Sequence, residues 1–369
     1  MSAVLPKQNI IHHDLKYVLS SLTDSEIRKF NGATIVVTGC AGFIGYYLLN
    51  FLDRYAEELG IRKVIGLDNF QLGKHDWVNQ INESSKVVEI HDFDVIQGNL
   101  DAVIANDDDS VNFIVHMASI ASPPFYRRYP LETVDANVWG LRRLLEYGKD
   151  ADLRGFLFFS SSEIYGEPDS QFIPTPESYW GNVSSLGPRA CYDESKRFGE
   201  TLCEIFANQF KLPITVVRPF NNFGPGTNLD DKRVTADFTE AILSRKNVVV
   251  HSDGTPTRTF CYIADALVGY LKALLYGKFE CFNIGTDHPE ISMKGLAELY
   301  IEVGKDMFGY NGQIDFIPSS DPHYLTHNPS RRCPDISKAK NLLSFLPKIS
   351  LQEGIYRELQ FFKERGFGQ

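Results

Sequence analysis

From Ala33 onward, short apolar runs alternate with segments in which apolar residues recur at helical spacing. The runs TIVVTG, KVIGLD and NFIVHMAS are rich in β-branched residues without strict alternation, as expected of strands buried on both faces. VVEIHDFDV, FLFFSSS and PITVVRP continue the series. The segments YYLLNFLDRYAEELG, ETVDANVWGLRRLLEYGKD and Cys191 to Phe210 have the helical period. This alternation predicts an α/β fold with a Rossmann-type, doubly wound parallel sheet covered by helices on both faces.

The same pattern divides the chain into three regions. Residues 1–31 precede the first strand and are predicted to be a helical extension that packs on the body of the protein or on a partner subunit. Its helical face consists of four apolar residues: Leu15, Val18, Leu19 and Leu22. Residues 32–220 carry the regular alternation and form the predicted first domain. Residues 221–369 have loops rich in Pro, Gly and Asp, which predicts a smaller α/β domain whose loops supply a binding surface.

Charge and cysteine usage exclude several classes of protein. The 369 residues include 47 acidic and 37 basic side chains, and the net charge of −10 argues against a nucleic-acid partner. No apolar run reaches the roughly 18–20 residues of a membrane span, and polar residues from His12 to Lys16 interrupt any signal-peptide core. The six cysteines are scattered, without CxxC or a cysteine–histidine cluster. We therefore expect a cytoplasmic protein without a metal site.

A glycine loop, TGCAGFIG, lies between the first predicted strand and the first long helix. Gly39, Gly42 and Gly45 there allow a tight turn and a pyrophosphate close to the helix N-terminus. The next strand ends at Asp68, 23 residues after Gly45, where a carboxylate can bind an adenosine ribose and would repel a 2′-phosphate. The spacing favours NAD over NADP. A purely structural glycine turn is the alternative.

Tyr192 and Lys196 are four residues apart and share one face of the predicted long helix. An ammonium group near a phenol, together with a bound nicotinamide cation, would lower the tyrosine pKa from about 10 towards the working pH. Ser161, at the end of a predicted strand in SSSEIYG, is placed to bind the same substrate hydroxyl. This combination can remove a proton from an alcohol while hydride passes to NAD.

These residues resemble the extended short-chain dehydrogenase/reductase family of nucleotide-sugar epimerases, dehydratases and decarboxylases. The likeness extends from about Gly32 to Glu364, and within the family it is greatest to the UDP-glucuronate decarboxylases. GPRACYDESKR is its most specific segment, and HMASIASPP, SSSEIYGEP, RPFNNFGPG, GTPTRTFCYIAD and RRCPDISKA add to it. The resemblance implies a nucleotide-sugar substrate and NAD binding by residues 32–220. It also implies mainly nucleotide-sugar binding by residues 221–369, some segments of which return to the first domain.

The resemblance also implies roles for individual residues. Asp94 would contact the adenine, Asn221 the sugar nucleotide, and Arg258, helped by Arg332, the diphosphate. The implied cofactor-binding residues are Gly39, Gly42, Phe43, Ile44, Gly45, Asp68, Asn69, Asp94, Val95, Ala118 and Ser119, with Tyr192 and Lys196. The implied substrate-binding residues are Ser122, Tyr126, Asn221, Arg233, Val234, Arg258 and Arg332.

The resemblance further implies a homodimer formed by the Tyr192 helix and the helix before it. Four residues of the Tyr192 helix would supply apolar surface: Phe198, Leu202, Ile205 and Phe206. Packing of these side chains in the core is the alternative.

Glu163 helps to choose among the reactions of the family. A 4,6-dehydratase uses an Asp-Glu pair at this strand end, whereas here Ser162 precedes Glu163 and is too weak an acid. A 4-epimerase needs no carboxyl group directed at C5. Decarboxylation of a 4-keto hexuronic acid needs a proton delivered to C5, and Glu163 could assist there. We therefore expect a decarboxylase of a UDP-hexuronic acid; an epimerase or dehydratase, or a non-catalytic NAD-binding regulator, remain alternatives.

Three departures from the decarboxylase pattern lie in segments that would surround the sugar. Phe125 and Tyr126 stand where a histidine–tyrosine pair is typical, and Ser195 replaces a glycine. In NNFGPGTN an arginine is lost, and Gly226 stands in its place. These changes allow a different sugar acid or a different nucleotide base.

Overall fold

A computed structural model of the chain describes residues 9–104, 110–321, 323–324 and 326–368. Its centre is a seven-stranded parallel sheet with the strand order β11-β6-β5-β4-β1-β2-β3. The strands are β1 Thr34–Thr38, β2 Lys63–Asp68, β3 Val88–Asp92, β4 Phe113–His116, β5 Gly155–Phe159, β6 Ile214–Pro219, β7 Asn222–Phe223, β8 Val248–Val250, β9 Thr257–Arg258, β10 Cys261–Tyr262, β11 Glu280–Ile284, β12 Ile291–Ser292, β13 Ile314–Phe316 and β14 Arg331–Arg332. The predicted Rossmann-type parallel sheet is confirmed.

Helices cover both faces of this sheet. They are α1 Ile10–Ser20, α2 Asp24–Arg28, α3 Phe43–Arg54, α4 Ala56–Leu59, α5 Asp76–Ser84, α6 Leu100–Ile104, α7 Pro123–Arg128, α8 Pro130–Asp135, α9 Leu141–Gly148, α10 Ala190–Phe210, α11 Val234–Leu243, α12 Ile263–Leu274, α13 Met293–Phe308, α14 Ser337–Leu343 and α15 Leu351–Glu364. Every residue of the central strands β1, β4 and β5 is buried, which explains why their sequences lack polar alternation.

One predicted helix is interrupted. The segment ETVDANVWGLRRLLEYGKD forms α8 and α9, and a single π-helical turn from Ala136 to Gly140 joins them. Asn137 in this turn donates a hydrogen bond of 2.9 Å to the hydroxyl of Ser195 on α10. The serine that departs from the decarboxylase pattern therefore links two helices.

The later part of the chain adds three small sheets next to the carboxyl end of the main sheet. They pair β10 with β7, β13 with β8, and β9 with both β12 and β14. The β9–β14 pair is parallel and places Arg332 beside Arg258, although 74 residues separate them in the sequence. This pairing brings two distant arginines to one place.

The N-terminal region is fixed to the body through Asp14. Its first eight residues lie outside the described residues, and α1 packs against α3, α12 and α15 with Leu15, Val18 and the following Leu22 buried. The Asp14 carboxylate is fully buried and accepts hydrogen bonds from Tyr47 at 3.0 Å, Tyr262 at 2.5 Å and Arg357 at 2.6 Å. It connects the helix that follows the glycine loop to the C-terminal helix.

We expect Asp14→Ala to lower the free energy of unfolding by about 3–5 kcal/mol, because it leaves the Arg357 guanidinium and two phenol groups without their shared acceptor. Urea titration followed by circular dichroism measures the change. Asp24→Ala, at an exposed position of α2, is the matched control and should stay within about 0.5 kcal/mol of the wild type. Equal losses in both variants would contradict the proposed role of Asp14.

Candidate active site

The predicted site residues follow the carboxyl ends of successive parallel strands. The glycine loop follows β1, Asp68 ends β2, Asp94 follows β3, Ser119 follows β4 and Ser161 follows β5. Asn221 follows β6. In an open parallel sheet these ends form the crevice in which ligands bind. The topology therefore gathers the predicted residues along one edge of the sheet.

The glycine loop and the end of β2 form a cradle suited to a dinucleotide. Gly42 is the N-cap residue of α3 and has no side chain. Within the described residues, no side chain at this cap accepts a hydrogen bond from the backbone N–H groups of the first turn. The Asp68 carboxylate is held in place by backbone N–H groups of Ala41 and Phe70, each at 2.9 Å. Burial raises the pKa of Asp68, against the effect of those two hydrogen bonds. The geometry fits a pyrophosphate at the helix end and a ribose at the carboxylate.

Gly45 is required by packing, because a Cβ atom there would lie 2.1 Å from the backbone oxygen of Cys40. We expect Gly45→Ala to lower both the stability and the affinity for NAD, since the helix would have to move away from the loop that precedes it. Gly42→Ala is the matched control for stability, because the nearest atom to its added Cβ would be the Gly39 oxygen at an ordinary 3.5 Å. Urea denaturation and NAD titration would compare the two, and similar stability losses would contradict this account.

The remaining residues implied for the cofactor differ from one another in burial and in hydrogen bonding. Asn69 is exposed and caps the backbone N–H of Gln71, while Asp94 accepts from Ile96 N–H at 2.8 Å. Val95 is buried against Gly140, and the Ser119 hydroxyl is buried with no hydrogen-bond partner in the described part of the chain. Phe43, Ile44 and Ala118 are partly buried around the same edge. The unpartnered Ser119 hydroxyl is consistent with a ligand group at this position.

Tyr192 and Lys196 lie on one face of α10, as their spacing predicts, and both are buried. Lys196 Nζ donates to the carbonyl of Phe159 at 2.6 Å and lies 5.8 Å from the centroid of the Tyr192 ring. The Tyr192 ring stacks on Tyr126 with centroids 5.2 Å apart. The Ser161 hydroxyl is a hydrogen-bond partner of Tyr192. Three of the predicted catalytic residues are therefore neighbours.

The pKa of Tyr192 differs from the sequence-based expectation. Burial raises it to about 12, and the hydrogen bond with Ser161 opposes this only in part. Burial lowers the pKa of Lys196 to about 7, because the ammonium loses its hydration. The surrounding protein therefore keeps Tyr192 protonated. The expected lowering of the Tyr192 pKa needs the positive charge that a bound nicotinamide would bring.

Glu163 is held between two guanidinium groups. Arg332 donates to both carboxylate oxygens at 2.6 Å, and Arg189 donates to Oε2. Burial raises the pKa of Glu163, but the charges of Arg332 and then Arg189 outweigh it and bring the pKa down to about 2. Glu163 is therefore an ionised carboxylate at neutral pH and not a proton donor in this arrangement.

Arg258 is buried close to this cluster and is held by neutral groups. It donates to the carbonyls of Thr257 at 2.7 Å and Pro329, and to the Asn328 side chain at 3.3 Å. Within the described part of the chain, no carboxylate lies within 4.0 Å of it. Burial and the neighbouring Arg332 lower the pKa of Arg258 to about 9. A buried cation without a counter-ion favours an anionic ligand.

The other residues implied for the substrate surround Tyr126 and the start of α11. Ser122 donates to the Asp231 carbonyl at 2.6 Å, and Asn221 donates to the Thr259 carbonyl at 2.8 Å. Arg233, the residue before α11, forms an ion pair of 2.7 Å with Asp231, and Val234 opens the helix. Arg332 bonds Glu163 and lies beside Arg258 across the β9–β14 pair.

Two charged residues of this cluster have no role in the sequence-based account: Arg189 and Asp193. Both are buried, and Asp193 follows Tyr192 on α10. Their opposite charges at i, i+4 spacing beside Tyr192 are the sequence signal that could have found them.

The arginine lost in NNFGPGTN has a packing explanation. Gly226 has a φ of +83°, and a Cβ there would lie 2.5 Å from Cδ1 of Tyr46 on α3. The Tyr46 ring thus occupies the space that a side chain at position 226 would need. The departure reflects the packing of α3 against this loop.

The four apolar residues implied for a dimer divide between surface and core. Phe198 and Ile205 are 50% and 41% exposed, whereas Leu202 and Phe206 are buried against the sheet. Core packing therefore accounts for the second pair. Nearby, Leu131 and Trp139 are 73% and 59% exposed.

Among the described residues, no group of three or more His, Cys, Asp or Glu is arranged to hold a metal ion. In the same part of the chain, no helix is long and apolar enough to cross a membrane.

The proteins that this chain resembles agree with the geometry of the site. The profile of the NAD dependent epimerase/dehydratase family matches residues 35–285. UDP-glucuronic acid decarboxylase 1 of Arabidopsis thaliana is 35% identical over 333 residues, covering 90% of this chain and 70% of the relative. The UDP-glucose 4-epimerase of Thermotoga maritima superposes with a TM-score of 0.76 at 28% identity, covering 90% and 99% of the two chains. The UDP-glucuronic acid 4-epimerase of Bacillus cereus, solved with UDP-glucuronic acid and NAD, has a TM-score of 0.72 at 26% identity, with the same coverage.

Proposed function

Because the chain belongs to the NAD dependent epimerase/dehydratase family, we propose that it is an NAD-dependent decarboxylase of UDP-glucuronate or a closely related nucleotide-linked hexuronic acid. The relatives named UDP-glucuronic acid decarboxylase, 33–35% identical over most of the chain, support this choice of reaction.

The observation that carries the proposal is the excess of buried positive charge beside Tyr192. Arg189 and Arg332 bond the carboxylate of Glu163, and Arg258 lies beside Arg332, bonded to neutral groups. The pKa of Asp193 is raised to about 7 by burial and by Glu163. A sugar that carries its own carboxylate complements this charge, and a guanidinium can bind it through two parallel hydrogen bonds. A neutral hexose would leave the excess uncompensated.

The protein groups then have distinct tasks. NAD, when bound at the glycine loop, supplies a reversible hydride acceptor that makes C4 of the sugar a transient ketone. Tyr192, with its pKa lowered by the positive charge that the bound cofactor would bring, takes the proton of the C4 hydroxyl, and Ser161 orients that hydroxyl. A ketone at C4 places the C6 carboxylate in a β-keto acid, from which CO2 can leave. The arginines hold that carboxylate in position before it leaves.

Glu163 assists the protonation of C5 indirectly. Because its pKa is about 2, Glu163 has no proton to give at neutral pH. We infer that it orients a water molecule that delivers the proton to C5. Its two arginine partners fix the carboxylate for this task.

The test is to incubate the purified protein with NAD and UDP-glucuronate and to follow CO2 release and product mass. We expect a mass loss of about 44 units and no net NADH, because the hydride is returned. A new isomer of unchanged mass would overturn decarboxylation in favour of 4-epimerisation, the activity named for one structural neighbour. No reaction with this sugar acid would contradict the proposal.

We also propose a homodimer, and a cytoplasmic location. Phe198 and Ile205 of α10 are exposed, as are Leu131 of α8 and Trp139 of the π-helical turn, both of which elements contact α10, and a second copy would cover these apolar side chains. All six cysteines are free, as expected in a reducing compartment. Sedimentation of the wild type and of Phe198→Asp would test the dimer, which the variant should weaken.

A further inference from the structure

Arg189 and Asp193 form an incomplete pair inside the active-site cluster. They are one helical turn apart, and each is only 5% exposed. Arg189 Nε lies 3.6 Å from Asp193 Oδ2, which is too long for a hydrogen bond. Arg189 Nε and Asp193 Oδ1 are both buried, and neither has a hydrogen-bond partner among the residues that the structure describes. One ion pair therefore contains an unsatisfied buried donor and an unsatisfied buried carboxylate oxygen, and a small movement of either side chain that satisfied them would recover free energy.

Arg189 is at the same time bonded to Glu163 through its terminal nitrogen. The guanidinium therefore lies between two carboxylates. It is hydrogen-bonded to Glu163 and lies 3.6 Å from Asp193. A shift of less than about 1 Å towards Asp193 would complete the second contact, since N–H···O bonds are about 2.9 Å long. The same shift would lengthen the hydrogen bond between Arg189 and Glu163.

The groups that surround Asp193 come from several elements. The titratable and charged neighbours are Arg189 and Tyr192 on its own segment, Glu163 after β5, Arg332 on β14 and Tyr126 on α7. Burial, and then the charge of Glu163, raise the pKa of Asp193 to about 7, while the two arginines oppose this rise. Its charge therefore changes close to neutral pH.

We propose that Asp193 is a positioning residue, a second anchor for Arg189, which sets how firmly that arginine holds Glu163 and how much positive charge the site offers to the sugar carboxylate. This inference rests on the proposed function.

The protonation of Asp193 changes the charge of the cluster by one unit. With Asp193 protonated, Arg189 and Arg332 share the single carboxylate of Glu163, and Arg189 stays bonded to it. With Asp193 ionised, the excess positive charge falls and Arg189 is drawn towards Asp193. Affinity for an anionic sugar is therefore high below pH 7 and falls as the pH rises through the pKa of Asp193.

The test compares the pH dependence of KM and kcat for wild type and Asp193→Asn between pH 5.5 and 8.5, with UDP-glucuronate as substrate. In the wild type we expect KM to rise about tenfold above pH 7, because one unit of charge near the substrate is lost. In Asp193→Asn, KM should stay low and flat across this range. Asp193→Glu, which keeps the charge, should retain a pH dependence.

Two controls separate this effect from general damage. Glu194→Gln changes the neighbouring, exposed carboxylate of α10 and should behave as the wild type. UDP-glucose, used as a competitive inhibitor without a sugar carboxylate, should bind with a pH-independent inhibition constant in every variant.

Thermal unfolding provides a readout that needs no substrate. The pKa of Asp193 is higher in the folded than in the unfolded protein, so its contribution to stability is present at low pH and is lost as the pH rises to about 7. Asp193→Asn should remove that slope. The melting temperature of the variant relative to that of the wild type should therefore increase between pH 5 and 8.

The outcomes of these tests are distinct. A wild type that releases CO2, with KM rising equally in Asp193→Asn, would overturn the inference and leave the proposed function intact. A wild type with no activity on the sugar acid at any pH would overturn the proposed function, and the inference with it. If Asp193→Asn fails to fold, a pH-independent KM in Asp193→Glu would overturn the inference.

Discussion

Tyr192→Phe is expected to lower kcat for the sugar acid by about 10³-fold, within the range that general acid–base groups contribute. The phenol is buried, is hydrogen-bonded with Ser161 and stacks on Tyr126, so its ring is held in one position at the site. Phenylalanine keeps this stacking and removes only the oxygen. Binding of NAD and of UDP-glucuronate should therefore remain within a few-fold of the wild type.

Single-turnover measurements with NAD and the sugar acid would check this result, because they report the chemical steps without product release. Tyr356→Phe, at a half-buried position of α15 away from the cluster, is the matched control and should retain full activity. If Tyr192→Phe keeps more than about a tenth of the wild-type kcat, Tyr192 is not the group that takes the proton.

Arg332→Ala is expected to lower kcat/KM for the sugar acid by about 100-fold. The change removes a buried cation that bonds both oxygens of Glu163 and that we place at the sugar carboxylate. With only Arg189 left on Glu163, the pKa of that carboxyl rises, since Arg332 is the strongest influence that lowers it. Arg332→Lys keeps the charge without the paired hydrogen bonds and should recover only part of the loss.

Arg331 provides a matched control for this change. It is the neighbouring residue of β14, its side chain is 46% exposed, and it bonds Glu290 at 2.7 Å away from Glu163. Arg331→Ala should leave kcat/KM nearly unchanged. Parallel decreases in the two variants would indicate a general disturbance of β14, and an unaffected Arg332→Ala would exclude the arginine from sugar binding.

Many features followed from local sequence alone. The strands β1 to β6, the glycine loop and the shared face of Tyr192 and Lys196 each depend on residues close together in the chain. Side-chain periodicity and strand–helix alternation determine such features, because a helix or a buried strand imposes its own repeat. The π-helical turn at Ala136 escaped prediction, since its apolar pattern resembles that of an ordinary helix.

The charge state of the site could not be predicted from local sequence. Arg332 meets Glu163 across 169 residues, and Arg357 meets Asp14 across 343. These contacts depend on how β14 pairs with β9 and how α1 docks on α15, and no short-range pattern encodes either.

The sequence by itself thus determined the type of fold, the NAD loop and the tyrosine–lysine pair, because each rests on the regular repeat of one element. Only the tertiary structure decided that Glu163 is an ionised carboxylate bound by two arginines, that Tyr192 keeps its proton in the protein alone, and that Asp193 lies beside Arg189. The physical reason is that pKa values depend on burial and on neighbouring charges, and the folded chain alone brings those together.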